Sequence, residues 1–275
     1  MNNEGINGPF VWWTGVVEDV NDPELIGRVR VRVHGYHSED LAELPTVNLP
    51  WAHPIFPVTS AANRGKGLTV SGFLPGTHVF GFYLDGVDAQ YPMVVGTLPG
   101  INSVENDPSA GFNIPQAYEN IVKSKYEGKP DTNILAYEKD ESEDRVTFIK
   151  DNSYLEDVET AFEDETWSEP PSQASPSFPN NKVYESTAGH LIEIDDTPQG
   201  ERIHVMHNSG GYVEFHPDGK LVIKSTNEGY NITLADNNMF VGGTLNINAL
   251  ANVAIKAENF TFKGTKANFE LEDDF

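Results

Sequence analysis

Near the C-terminus one short pattern recurs and leaves few folds open. The tetrads Asn231–Leu234, Asn238–Val241, Asn246–Ala249, Asn252–Ile255, Asn259–Phe262 and Asn268–Leu271 all read Asn, apolar, any, apolar or small. Their first residues lie 7, 8, 6, 7 and 9 positions apart. A pair of apolar residues per rung, followed by a turn of Gly, Asn or Ala, is the pattern of a β-solenoid rather than of long-stranded hairpins. Each rung is too thin to bury its own apolar face, and a single winding chain would also leave a strand edge open. Three chains wound about a common axis solve both problems, because each apolar pair then enters a shared core and each strand pairs with a neighbouring chain. The small residues Ala249, Ala251, Ala254 and Gly264 suit a slim shaft. The expectation is a homotrimeric, triple-stranded β-helix over residues 183–275.

Residues 1–101 read differently. Arg28 to Arg32 alternate with Val29 to Val33, which puts three valines on one face of a strand and three arginines on the other. Val16-Val17 after Gly15, His78 to Leu84, and Pro92 to Gly96 supply further strands, with turns at Asn21-Asp22-Pro23 and Leu84-Asp85-Gly86. About five short strands suit a small closed barrel. The 24 Gly and 18 Pro of this 275-residue chain favour many turns over long helices, so the class expected is all-β.

Between the two lies an acidic stretch, residues 102–182, that changes character. From Glu138 to Glu169 there are thirteen acids against three bases, and the stretch closes on the Pro-rich Glu169-Pro170-Pro171-Ser172-Gln173-Ala174-Ser175-Pro176. This composition predicts a linker with little core of its own. Two local elements are expected inside it: a strand near Val146 to Ile149, and a short helix opened by the Ser153-x-x-Glu156 capping pattern, with Leu155, Val158 and Phe162 as its apolar stripe.

Charge and cysteine usage exclude several classes of function. The formal charge of −24 would repel nucleic-acid backbones. No cysteine is present, so neither disulfides nor thiolate metal sites hold the fold, which fits assembly in a reducing cytoplasm. The N-terminus has no basic segment followed by an apolar one, and no stretch approaches a membrane span, so a soluble chain without a signal peptide is expected.

The chain resembles the central spike proteins of contractile phage tails, also known as tail-associated lysozymes and related to the valine-glycine-repeat spikes of type VI secretion. In the first block the resemblance rests on Gly15-Val16-Val17-Glu18-Asp19, Asp22-Pro23, Gly27 to Val33, Leu49-Pro50-Trp51, Thr59-Ser60-Ala61-Ala62 and Val95-Gly96-Thr97. In the second it rests on Trp167 to Pro170, Pro179 to Glu185, Gly189 to Glu193, Asp195 to Pro198, Glu201 to His204 and Pro217-Asp218-Gly219. The resemblance implies an OB-fold barrel seated on a trimeric baseplate hub and a triple-stranded β-helix aimed at the host envelope, which it punctures. It also implies a small tip protein at the needle end and a place in the virion tail after assembly in the host cytoplasm. Family members can carry a lysozyme domain between barrel and needle. The interval 102–182 is too short to hold one, so a lysozyme-free, non-enzymatic member is expected. The alternatives are a tail-associated peptidoglycan hydrolase and a type VI-like spike.

No catalytic, cofactor-binding or metal residue is therefore expected. His204 and His207 stand three apart, and on a strand that spacing sends the two rings to opposite faces. In some spike relatives a His-x-His pair holds iron near the tip, and no such triplet occurs here. Arg28, Arg30 and Arg32 are expected on a solvated or subunit-facing surface, with carboxylates of the hub or the linker as partners. Trp12, Trp13 and Trp51 are expected as barrel core and interface anchors.

Overall fold

The structure is a computed structural model that describes residues 9–68, 72–101, 107, 109–114, 128–137, 159–162 and 165–266. Two compact units divide the chain, Met1–Glu228 and Gly229–Phe275. Among the described residues the regular elements are strands and three single-turn 3-10 segments.

The first unit begins with a closed barrel. Its strands are β1 (Val11–Asp19), β2 (Val29–Val33), β3 (Trp51–Pro54), β4 (His78–Tyr83) and β5 (Pro92–Thr97). They close in the order β1-β2-β3-β5-β4, and β4 returns to β1. The β3–β5 pair is parallel and the others antiparallel. This is the expected all-β barrel, with one strand, β3, that the alternation did not mark. Val29, Val31 and Val33 are fully buried beside Val17, Val79, Val94, Trp13 and Tyr83. Each buried valine contributes about 1.5–3 kcal/mol of transfer free energy. Two glycines permit the tight packing. A Cβ on Gly81 would run into the Met93 carbonyl and the Trp13 ring, and one on Gly15 would strike the Arg32 carbonyl. A side chain at either site would push adjacent strands apart.

The second sheet of this unit is an antiparallel meander, β8 (Asn181–Glu185), β9 (Leu191–Asp195), β10 (Arg202–Met206), β11 (Tyr212–Phe215) and β12 (Leu221–Lys224). It lies upstream of the Asn repeats and pairs by short hairpins within one chain. Before it come β6 (Glu159–Phe162) and β7 (Glu165–Ser168), which form a two-stranded hairpin. Phe162 is thus in a strand, not on a helix. Leu155, Val158 and the strand expected at Val146 to Ile149 lie outside the described residues.

The acidic stretch packs closely where it is described, against the expectation of a segment with little core. Ile134 and Leu135 are buried with Leu191 and Met206 in a second apolar cluster. Asn181 donates to the Leu135 carbonyl at 2.9 Å, and Asn133 donates to Glu185 at 2.6 Å. Residues 109–114 instead close on the barrel: Ala110 bridges to Asp40, and Gly111 donates to the Glu39 carbonyl. These short apolar and hydrogen-bonding pieces lie outside the acid-rich run from Glu138 to Glu169, whose charge says nothing of them.

In the second unit, the described residues 229–266 carry no assigned strand or helix. Their large apolar side chains are open to solvent in the single chain: Leu234 is 100% exposed, Phe240 94% and Phe262 79%.

Candidate functional site

The arginine row is not a binding surface. Arg28 pairs with Asp22 at 2.7 Å and with Glu24 at 3.0 Å. The Arg28 guanidinium, helped by backbone N–H donors from Glu24, Ile26 and Arg28, holds the Asp22 carboxyl well below the usual range. Arg30 donates to the Leu49 carbonyl and lies over the Trp51 ring at 4.3 Å, a cation–π contact. Arg32 is completely buried. It clamps Glu18 through Nε to Oε1 at 2.6 Å and Nη2 to Oε2 at 3.1 Å, and donates to the carbonyls of Ser38 and Leu44. Glu18 also accepts from Thr46 at 2.7 Å and from the Phe112 amide at 3.3 Å. The expected hub or linker carboxylates are thus replaced by the barrel's own acids. The hairpin register that sets Asp19 opposite Arg30 brings them there.

The tryptophans divide. Trp13 is core, Trp51 lies beneath Arg30, and Trp12 points outward, 52% exposed and stacked on Phe80 at 4.7 Å.

The meander has two contrasting faces. On one, Glu193, Asp195, Arg202 and Glu214 are all nearly inaccessible. Arg202 joins Glu193 and Glu214, whose carboxylate also contacts His204 at 2.5 Å and His216 at 3.0 Å. Burial pushes the Glu214 carboxyl up, but the His204 hydrogen bond and the Arg202 charge together outweigh it and draw it down to about 2. A strap from the acidic stretch covers this layer. Glu169 accepts from Lys224 at 2.6 Å and from the Tyr212 hydroxyl, and Ser177 donates its amide to Thr197 at 2.9 Å. On the opposite face Tyr184, Ile192, Ile194, Ile203, Val205, Phe215, Leu221 and Ile223 stand 43–71% exposed on adjacent strands. A contiguous apolar sheet face of this kind marks an interaction surface.

His204 and His207 do not come together. His204 turns to Glu214, while His207 lies beyond the strand, near Ser209 and the His190 ring. Among the described residues no group of three or more His, Cys, Asp or Glu is arranged to hold a metal. The buried charge layer was not anticipated. The same-phase positions of Glu193, Asp195, Arg202, His204 and Glu214 carry its only signal in the sequence.

The family model described as the Gp5 N-terminal OB domain matches residues 33–181, more than half of the chain. The chain belongs to this family. It is 34% identical over 272 residues to Protein Gp5 of Vibrio phage KVP40, covering 88% of this chain and 64% of that protein. It is 42% identical over 117 residues to the pre-baseplate central spike protein Gp5 of Enterobacteria phage T4, covering 41% of this chain and 20% of that protein. The chain therefore spans less than two thirds of the length of either relative.

Proposed function

We propose that this Gp5-family chain is the structural central spike of a contractile phage tail baseplate, a homotrimeric needle that punctures the host envelope. One observation carries the reading. The open face of the meander and the repeats that follow it both display apolar residues that a single chain leaves in water. Further copies would bury both, the meander's face against its counterparts and the repeats in the shared core of a triple-stranded β-helix. The name of the T4 relative, a pre-baseplate central spike protein, supports a place in the virion tail baseplate.

On this reading a trimeric hub protein holds the barrel end, a small tip protein caps the needle, and sheath contraction supplies the force. The spike works by stiffness, without catalysis, cofactor or direct nucleic-acid contact. Light scattering of the purified chain tests it. The expected mass is three times the 30.4 kDa of one chain, in an elongated particle resistant to heat and detergent. A well-folded monomer at micromolar concentration would sink the reading, and a clearing zone on a peptidoglycan zymogram would restore a hydrolase.

A further inference from the structure

The barrel and the meander are separate sheets that share no strand, yet one short piece of the acidic stretch, residues 130–137, holds on to both. Its near end grips the chain as it leaves the barrel. Leu98 still donates its amide to the His78 carbonyl on β4 at 2.8 Å. Two residues later the Gly100 amide donates to the Asp131 carboxylate at 2.7 Å, and the Asp131 amide donates back to the Gly100 carbonyl at 2.9 Å. Ile101 and Pro130 form an antiparallel bridge beside them.

The far end is set into the meander. Asn133 donates to Glu185 at the end of β8, and Asn181 at its start donates to the Leu135 carbonyl. Ile134, Leu135 and Ala136 are all buried, and the first two pack with Leu191 of β9 and Met206 of β10. Both grips join residues distant in the chain, 31 positions apart for Gly100 and Asp131 and 52 for Asn133 and Glu185. They are tertiary contacts, not consequences of chain continuity.

The piece between the grips is short and stiff. Ile134–Ala136 is a 3-10 turn, closed by the Ala136 amide on the Asn133 carbonyl at 3.0 Å. The Asn133 side chain caps it by accepting from the Leu135 amide at 2.9 Å, so one residue both starts the turn and ties it to β8. Only Thr132 separates Asp131 from Asn133, and a spacer of this length spans at most about 7 Å, with little slack.

We infer that residues 130–137 are a brace that locks the barrel and the meander into one rigid body. Two domains joined by polar linker alone turn about each other by default, and the brace removes that freedom. Its mechanical use rests on the spike reading above: thrust applied at the barrel then reaches the repeats through a stiff contact instead of through loose chain. The brace itself does not depend on that reading.

The test measures a distance within one full-length chain. The chain has no cysteine of its own, so Val95→Cys on β5 and Glu201→Cys between β9 and β10, both at exposed positions, take spin labels selectively. Co-expression with cysteine-free chain in large excess leaves at most one labelled chain in an assembly, and double electron–electron resonance then reads barrel to meander. The otherwise wild-type chain should give one narrow distance peak. Inserting Gly-Ser-Gly-Ser after Thr132 leaves both grips able to form but lengthens the spacer, and should widen the peak about threefold. Asp131→Ala combined with Asn133→Ala, which removes the side-chain grips without an insertion, should widen it as well. Near-ultraviolet dichroism and assembly mass should stay as in the wild type, since each sheet keeps its own core. A broad distribution in the wild-type background, or an insertion variant as narrow as the wild type, overturns the inference and leaves the spike reading standing. A monomeric chain with a narrow peak that the insertion widens would sink the spike reading and leave the brace in place.

Discussion

The Arg32–Glu18 pair offers a sharp test of how the barrel is held together. Replacing Arg32 with Met keeps much of the side-chain volume but leaves the Glu18 carboxylate, 5% exposed, without its countercharge. Two carbonyls, of Ser38 and Leu44, lose their donor at the same time. Removing one partner of a buried ion pair costs about 3–5 kcal/mol, a large share of the roughly 5–15 kcal/mol that holds a domain folded. Replacing Glu18 with Met as well removes the stranded charge and should recover about half of that loss. The double variant will not return fully to wild type, because Thr46 and the Phe112 amide also lose their acceptor. Urea unfolding followed by near-ultraviolet dichroism, to which the packed Trp13–Tyr83 pair contributes, reads the barrel directly. A buried pair should also keep its contribution in 1 M NaCl, unlike a surface one. If Arg32→Met costs under about 1 kcal/mol, or if the two single losses simply add in the double variant, the reasoning from desolvation is wrong.

Gly81→Ala should destabilise the barrel by about 1–3 kcal/mol, since the methyl has no room between the Met93 carbonyl and Trp13; an unchanged melting temperature would contradict the packing. Ile203→Asp, in the middle of the open meander face, should prevent trimer formation, as should Ile255→Asp in the repeats, while Lys256→Glu should not; light scattering separates these outcomes. Because Glu214 titrates lower in the folded chain than its ordinary 4.5, its ionisation contributes stability that is fully present above about pH 4.5 and lost as the pH falls towards 2. Glu214→Gln should therefore flatten the acid limb of the stability profile in that window, and a limb of unchanged steepness would refute it.

Much of the barrel was legible in the sequence because its strands alternate cleanly. Val29, Val31 and Val33 went inside as the period of two requires. The strand Trp51–Pro54 was not legible, since four residues ending in Pro carry little alternation. The arginine partners stand across the first hairpin rather than in another protein or the linker, and only the register reveals them. Phe162 lies in a strand; the spacing of Leu155, Val158 and Phe162 spans a window too short to separate the two periods. The meander was the hardest case. Leu191 to Asp195 alternates plainly, but alternation gives two faces without saying which one the chain covers first. Here the acids were covered, because Arg202, His204 and His216 arrive from neighbouring strands to meet them.

The piece of chain that closes on the barrel from beyond its last strand has a practical consequence for fragments. Gly111 lies so close against the Arg32 guanidinium that a Cβ there would collide with it, and the next residue donates its amide to Glu18. A fragment cut at residue 101, where the strands have ended, would keep every strand yet lose the lid on its only completely buried guanidinium. Water would then reach Arg32 and Glu18 from one side. The smallest fragment that keeps them dry runs through Ile114, whose side chain also rests against Gly76.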